Sequence, residues 1–164
     1  MNDNYAVING ERIELTDEQV IALWIKTRKN PFKRLAKYSS YYRVTDANQV
    51  DDYVETFDST DNRLYDAANY FNDKEFAEQV ALHQLLYRKL LKFAYDNECE
   101  DTAEWNGTNK HWCFEYLHGA KIFTAYPQYS GKSQIVYFSS KEAAERAIKE
   151  IVEPFMEEHP EFVW

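Results

Sequence analysis

The sequence has few of the residues that build catalytic loops, metal centres and disulfide frameworks. Its 164 residues include only four glycines, which are scattered instead of clustered in a phosphate-binding loop. Its two cysteines, Cys99 and Cys113, form no metal-ligand or redox spacing and no disulfide framework. None of the four histidines has a His, Cys or acidic neighbour at zinc-ligand spacing. The sequence therefore predicts no cofactor, no metal site and no catalytic residue.

Long apolar runs and a surplus of positive charge are also missing. No run approaches the roughly 18 apolar residues that a membrane helix needs, and the first residues lack the pattern of a signal peptide. The net charge is −9, which disfavours sequence-independent binding to nucleic acid because such binding needs excess Lys and Arg. These patterns predict a cytoplasmic protein with no membrane partner, whose acidic surface suits solubility or a basic partner.

Aromatic residues are the class that the sequence has in excess. Thirteen tyrosines, ten phenylalanines and four tryptophans make up 16% of the chain. Disordered chains are poor in such residues, so the sequence predicts an ordered protein. Tyrosines in this number are typical of half-buried strand positions, and they are also favoured at binding surfaces.

Local patterns predict an α+β fold in which two diverged βββα units follow an N-terminal hairpin and helix. Residues 1–30 hold the hairpin, with its turn at Asn9-Gly10, and a helix that starts in a capping box between Thr16 and Gln19 and runs to about Arg28. Residues 31–97, the first unit, and residues 98–164, the second unit, are expected to form one compact body. Whether the units share one sheet, and the oligomeric state, stay open.

The expected elements of both units follow from alternation and capping signals. In the first unit, strands are expected at residues 38–45, 50–57 and 64–71, the last as a strand or an irregular approach to a helix. That helix should be capped by Asn72 and run from Asp73 to about Tyr95. In the second unit, strands are expected at residues 110–117, 121–126 and 133–138, with a loop from Pro127 to Lys132. Ser139 should cap a last helix that kinks or stops at Pro154, and the apolar tail should dock on the body.

The starts of the two long helices carry the same residues in the same order. When Asn69 to Ala81 is aligned with Val136 to Ile148, identical residues occur at Tyr70/Tyr137, Phe71/Phe138, Lys74/Lys141, Glu75/Glu142, Ala77/Ala144 and Glu78/Glu145. Each stretch follows a tyrosine-rich segment with the texture of short strands. The pattern predicts that the two units arose by duplication.

These stretches also resemble a known group of proteins. The segment Asn69–Phe71, the segment Tyr137–Ser140 and the tail from Glu153 to Trp164 are similar to an uncharacterised group from phages and prophages of Gram-positive bacteria. The resemblance covers most of the chain. It implies a phage setting in a bacterial host cytoplasm, and it carries over no activity and no catalytic residue.

Two neighbouring segments of opposite charge supply the candidate binding residues. The predicted partner-binding surface is acidic and consists of Asp51, Asp52, Glu55, Asp58 and Asp61. The alternative surface is basic and consists of Lys26, Arg28, Lys29, Lys33, Arg34 and Lys37, with Tyr41 and Tyr42 beside them. Solvated faces that attract each other would give the same pattern.

Three functional hypotheses follow. A non-catalytic phage accessory protein would bind and occlude a host protein, as a counter-defence (anti-CRISPR-like) inhibitor whose carboxylates and tyrosines mimic nucleic acid. A nucleic-acid-associated protein would use the basic segment and its tyrosines for charge contacts and stacking. An enzyme would assemble an acidic site from scattered residues. The net charge and the lack of catalytic motifs favour the first hypothesis.

Overall fold

A computed structural model describes residues 5–22 and 30–164 of the chain. It is an α+β fold, as the sequence predicts, with three separate antiparallel pairs of strands. The strands are β1 (Tyr5–Ile8), β2 (Glu11–Glu14), β3 (Ser40–Val44), β4 (Val50–Val54), β5 (His111–Leu117) and β6 (Ile122–Gln128). The helices are α1 (Asp17–Ala22), α2 (Ser59–Asp66), α3 (Lys74–Asp96), α4 (Lys141–Ala147) and α5 (Glu153–Glu158), with a π-helical turn (Ile148–Val152) between the last two. No helix within the described ranges has the length and apolar character to cross a membrane.

The N-terminal hairpin and the start of α1 confirm the local predictions. Asn9 and Gly10 have φ angles of 54° and 86°, which a type I′ turn requires. The Thr16 N–H donates to Gln19 Oε1 at 2.9 Å, and the Gln19 N–H donates to Thr16 Oγ1 at 3.3 Å. This is the reciprocal capping box that the spacing indicates. The predicted continuation of the helix to Arg28 lies outside the described residues.

The first unit contains one hairpin, β3–β4, and a short helix where a third strand is predicted. Of the two alternatives for residues 64–71, the strand is wrong, because α2 covers Ser59–Asp66, and the irregular approach to the long helix is confirmed for residues 67–70. Asp58 starts this helix by accepting hydrogen bonds from the N–H groups of Thr60 and Asp61, and such a cap favours a helix over a strand. Only Phe71 pairs with the hairpin, through Tyr42 of β3.

The second unit, all of whose residues are described, is built around β5–β6 and has no helix between β6 and α4. The predicted strand over residues 133–138 is wrong, since the chain bends at Gln134 and Ile135 and only Phe138 pairs with Trp112 of β5. Strand β6 extends through Pro127, which is predicted to start a loop. Proline is tolerated on an edge strand when its nitrogen faces away from the paired neighbour.

Both long-helix caps lie one residue later than predicted, by the same shift in each unit. Asp73, not Asn72, accepts the Phe76 N–H at 3.0 Å, and Ser140, not Ser139, accepts the Ala143 N–H at 3.1 Å. In each unit the helix begins at a lysine, Lys74 or Lys141. The polar residue directly before that lysine therefore becomes the cap.

Helix α3 belongs to two cores. Ala77 and Ala81 near its start pack with Val44 and Phe71 of the first unit. Its later apolar residues lie in the larger core of the second unit, namely Leu82, Leu86, Leu90, Phe93 and Ala94. The two units are therefore joined through one shared helix, while their sheets stay separate.

The chain after α4 confirms the docked tail, and it shows that the helix does not stop at Pro154, because α5 continues to Glu158; the kink stays a prediction. The π-helical turn immediately precedes Pro154 in α5, and such a turn is a known cause of helix bending beside proline. Phe162 is buried in the second core. The backbone of the tail is fixed by Gln79 of α3, whose Oε1 accepts the Val163 N–H at 2.9 Å and whose Nε2 donates to the Glu161 carbonyl at 2.8 Å.

The residues shared by the two helix starts occupy matching positions. Phe71 and Phe138 each exchange two backbone hydrogen bonds with the first strand of their hairpin, and both rings are buried. Ala77 and Ala144 are both completely buried, which allows the helix to approach the sheet closely.

The polar residues shared by the two helix starts also match. Tyr70 accepts the Leu35 N–H at 3.2 Å, and Tyr137 accepts the Ser133 N–H at 2.9 Å. Surface ion pairs one helical turn apart follow in each unit, Lys74–Glu78 at 3.4 Å and Lys141–Glu145 at 3.0 Å. Duplication as the origin of this likeness stays a prediction.

We expect Phe71→Ala and Phe138→Ala each to lower the free energy of unfolding by about 3–5 kcal/mol, because each removes a buried ring beneath a helix. Urea unfolding followed by circular dichroism measures both. Tyr95→Ala is the matched control, since Tyr95 is 62% exposed on α3 and should cost less than about 0.5 kcal/mol. If only one of the two core variants loses stability, Phe71 and Phe138 do not have equivalent roles.

Candidate protein-binding surface on the first unit

A buried polar network lies against the outer face of the β3–β4 hairpin, opposite α3. Its centre is Tyr41 of β3, which is completely buried and stacks on Tyr70 with ring centroids 4.0 Å apart. Residues that follow β4 and residues of α2 supply the carboxylates that complete it. The network collects candidate residues from both charged segments of the sequence.

Glu55, immediately after β4, is a completely buried carboxylate held by Arg34. The Arg34 guanidinium donates from Nε to Oε2 at 2.9 Å and from Nη2 to Oε1 at 3.0 Å, a two-pronged geometry that suits a guanidinium and a carboxylate. The Phe57 N–H also donates to Oε1 at 2.8 Å. Hydrogen bonds from Arg34 lower the pKa of Glu55 despite burial, so this residue stays ionised inside the protein.

Asp61, in the first turn of α2, is a second buried carboxylate. It accepts the Tyr41 hydroxyl at 2.7 Å, the Thr56 N–H at 2.7 Å and the Thr56 hydroxyl at 2.9 Å. Burial alone would raise the pKa of Asp61, but these hydrogen bonds outweigh burial and lower it. Burial and the bond to Asp61 raise the pKa of Tyr41, and burial raises that of Tyr70 to about 12.

The acidic candidates therefore divide into two groups. Glu55 and Asp61 lie in the interior and correct the expectation of a five-residue acidic surface, because their lone pairs are occupied by internal donors. Asp51, Asp52 and Asp58 are exposed, and no ion pair to them occurs in the part of the chain that the structure describes. These three residues are the acidic edge.

The basic candidates that the structure describes divide between the interior and the surface. Arg34 is committed to Glu55, Tyr41 is buried, and Tyr42 is half-buried against the core around Phe71. The ring of Tyr41 is thus inaccessible to nucleic-acid bases, and that of Tyr42 is only partly accessible. Lys33 and Lys37 are exposed, while Lys26, Arg28 and Lys29 lie outside the described residues.

Exposed aromatic rings surround Arg34 on the surface above the network. This aromatic strip consists of Phe32, Phe57, Tyr65 and Phe76, which are 39%, 49%, 40% and 36% exposed. The Arg34 guanidinium lies 4.8 Å from the centre of the Phe57 ring and 5.3 Å from that of Tyr65. The Phe32 and Phe76 rings meet at 5.4 Å, and a depression of about 330 Å³ lies between Phe32 and Tyr65.

The backbone beside the aromatic strip is strained. Tyr38, Phe57 and Ala68 have φ angles of 72°, 62° and 53°, in the left-handed region that costs a bulky residue roughly 1–3 kcal/mol. Glu55 holds two of them, since its carbonyl accepts the Tyr38 N–H at 2.7 Å and its carboxylate accepts the Phe57 N–H. The buried network thus keeps the rings of Tyr38 and Phe57 turned towards solvent.

Sequence analysis misses the aromatic strip because its rings come from four separate segments. Phe57 is expected at the end of a strand over residues 50–57, but β4 ends at Val54, and Phe57 follows between the polar residues Thr56 and Asp58. A lone aromatic residue in a polar stretch indicates either a turn into the core or a ring left on the surface, and only the fold decides between them.

The second unit has a different polar group on its outer face. His111, which is completely buried, lies at 2.7 Å from Asp101 through Nδ1, and Trp105 stacks flat on it with ring centroids 3.6 Å apart. Burial raises the pKa of the Cys113 and Cys99 thiols, which makes both poor nucleophiles. Within residues 5–22 and 30–164, no group of three or more His, Cys, Asp or Glu side chains is arranged to hold a metal ion.

No protein-family model, curated protein or solved structure matches the chain.

Replacing Asp61 with asparagine should destabilise the protein in a pH-dependent way. The lowered pKa of Asp61 in the folded state means that its ionised form stabilises the fold above the ordinary aspartate pKa of about 3.9. That contribution is lost as the pH falls below this value. We therefore expect Asp61→Asn to cost about 1–3 kcal/mol near neutral pH and progressively less towards about pH 2 in urea unfolding.

Asp52→Asn is the control for this experiment. Asp52 is exposed and has no ion pair among the described residues, so its replacement should change stability by less than about 0.5 kcal/mol at every pH. A cost of Asp61→Asn that is the same at acid and neutral pH would contradict the assigned network.

Proposed function

We propose that this chain is a non-catalytic binding protein that uses the aromatic strip and the acidic edge to dock on a basic protein. The observation that carries the proposal is that bulky rings are held on the surface at a conformational cost. Strained backbone persists where the surrounding structure enforces it, and such strain clusters at functional sites. Here the enforcing group is the buried Glu55, which accepts the N–H groups of Tyr38 and Phe57.

The composition of the surface supports a protein partner. Exposed aromatic patches rimmed by polar residues mark interaction sites on soluble proteins. Aromatic residues and arginine supply most of the residues that dominate binding energy at interfaces. Arg34 stands between the rings of Phe57 and Tyr65, and its bonds to Glu55 fix its orientation. A surface fixed before binding loses less entropy when the partner arrives.

Charge supports a basic partner surface. Asp51, Asp52 and Asp58 are exposed, and the whole chain carries −9, so association with a basic surface is steered by long-range attraction. Carboxylates of this edge would occupy the places of phosphates if the partner is a nucleic-acid-binding protein. The resemblance to phage proteins supports a bacterial host protein as the target, occluded in the host cytoplasm as a counter-defence measure.

Catalysis and direct nucleic-acid binding have less support. The two buried carboxylates accept internal hydrogen bonds from Arg34, Thr56 and Tyr41. Of the two tyrosines that would stack on bases, Tyr41 is buried inside the first unit and Tyr42 is half-buried against its core.

The acidic edge is tested by neutralising it. The tagged full chain is used to capture its target from a lysate of Gram-positive bacteria, and the affinity for the identified target is then measured against salt. We expect the triple variant Asp51→Asn, Asp52→Asn, Asp58→Asn to weaken binding at least tenfold at low salt and to flatten the salt dependence, because fewer charges are screened. The charge-matched control replaces Glu98, Glu104 and Glu157, exposed acids of the second unit, with glutamine.

If the affinity of the wild-type chain for the target does not change with salt, the acidic edge is not the contact. The same conclusion follows if both triple variants lose affinity equally.

The aromatic strip is tested by separating binding from stability. Phe57→Gly removes an exposed ring and also relieves a φ angle of 62°, which glycine adopts freely. The lost cation–π contact with Arg34, roughly 0.5–1 kcal/mol, is offset by the relieved strain. We expect the free energy of unfolding to stay within about 1 kcal/mol of wild type, while target affinity falls at least tenfold.

Tyr95→Ser, which removes an exposed ring from α3, should leave both quantities unchanged. A Phe57→Gly variant that binds as wild type would show that the strip is not an interface.

A further inference from the structure

The two units differ at one edge position of their hairpins. In the first unit, Tyr42 of β3 exchanges backbone hydrogen bonds with Phe71. Two residues along β3, the backbone of Val44 is bonded by a side chain: its N–H donates to Asn69 Oδ1 at 2.8 Å, and its carbonyl accepts from Asn69 Nδ2 at 2.8 Å. The asparagine amide therefore takes the place of a strand peptide group and closes this edge.

In the second unit the same position has no such closure. Trp112 of β5 exchanges backbone bonds with Phe138, and Phe114 stands two residues along the strand, where Val44 stands in β3. The residue aligned with Asn69 is Val136, which has no amide group. Because the chain bends at Gln134 and Ile135, no backbone hydrogen bond joins Val136 to Phe114 in the described part of the chain.

Strand geometry sets the direction of the open groups. Backbone N–H and C=O groups of an antiparallel strand point to the same side at every second residue. Since those of Trp112 point to Phe138, those of Phe114 point to the same edge and away from β6. Neither Phe114 nor the next residue on that edge, Tyr116, carries the charge or proline that usually protects an exposed strand edge.

An apolar groove of about 400 Å³ lies beside this edge. Its walls come from α3, β5, the bent segment and the tail, chiefly Leu86, Leu90, Phe114, Val136 and Trp164. Tyr87 and Ile135 border it and are 45% and 40% exposed. A groove of this size and apolar character is typical of a binding site.

We propose that the β5 edge and this groove bind an extended peptide segment of a partner protein. The segment would exchange backbone hydrogen bonds with Phe114 and place an apolar side chain in the groove, as in strand addition to an open sheet edge. The first unit indicates the chemistry of the occupant, because the group that closes its edge is an amide. This site lies in the second unit and uses neither the aromatic strip nor the acidic edge, so its failure and that of the proposed function are distinguishable.

Amide hydrogen exchange of the full chain tests whether the edge is open. We expect the Val44 N–H to be protected and the Phe114 N–H to exchange at least tenfold faster, because only the former has a fixed acceptor. Val136→Asn installs the amide of the first unit and should slow exchange at Phe114. Val136→Thr, which is of valine size and has no amide, should not. Equal protection of Val44 and Phe114 in the wild-type chain would overturn the open edge.

Peptide titration followed by NMR tests the occupant. The probe is a five-residue peptide, acetyl-Thr-Val-Thr-Val-Thr-amide, together with versions in which leucine or phenylalanine replaces the valines. We expect saturable shifts at Phe114, Val136 and Trp164, and slower exchange at the Phe114 N–H. Val136→Asn should weaken binding about tenfold, since it occupies the bonding groups of the edge.

Backbone N-methylation of the probe separates strand pairing from simple apolar binding. Methylating the nitrogens on one side of the extended probe should abolish binding, and methylating those on the other side should not, because only one side faces β5. Equal binding of both methylated probes, or no saturable shift with any probe at millimolar concentration, would overturn the proposal. So would dimerisation of the chain through β5 that Val136→Asn abolishes, because the occupant would then be a second copy.

Discussion

The backbone pairing of Phe71 with Tyr42, repeated by Phe138 with Trp112, holds each unit together. A two-stranded hairpin is marginal in water without a third strand or a helix on its apolar face. Each phenylalanine contributes to both, because its backbone pairs with the first strand of the hairpin and the residues after it begin the helix that covers the sheet. The buried ring fixes the distance between the two layers, and the buried alanine one turn into the helix, Ala77 or Ala144, permits it.

In this arrangement a helix covers one face of each hairpin, and polar side chains pack against the other face. In the first unit, Tyr41 directly precedes the paired Tyr42 and points to the outer face, where Asp61 binds its hydroxyl. In the second unit, His111 directly precedes the paired Trp112 and meets Asp101 in the same way. Both rings are completely buried. The outer faces thus follow one plan, in which a polar ring at the strand start is held by a carboxylate from a neighbouring segment.

The elements that depend on residues close together in the sequence are the ones that the sequence predicts correctly. The Asn9-Gly10 turn, the Thr16 capping box and the long helix α3 each depend on residues a few positions apart. The burial of Glu55 depends instead on Arg34, which is distant in sequence, so the acidic run looked like a surface. The prediction of a strand over residues 133–138 is wrong for a related reason. An alternating pattern indicates which side chains can be buried, but it does not indicate whether the segment pairs with another strand.

Residues that are not shared by the two units determine which chemical groups each unit exposes at its surface. Arg34 and Glu55 have no counterpart in the second unit, and they fix the strained rings of Tyr38 and Phe57 outward in the first. Asn69 closes the β3 edge, whereas Val136 cannot close the β5 edge and lines a groove there. The shared residues maintain the scaffold, so substitutions at the unshared ones change surfaces without disturbing the pairing of Phe71 or Phe138. A scaffold of this kind can carry two unlike interfaces, one of charged and aromatic side chains and one of backbone groups, in two units that share a single helix.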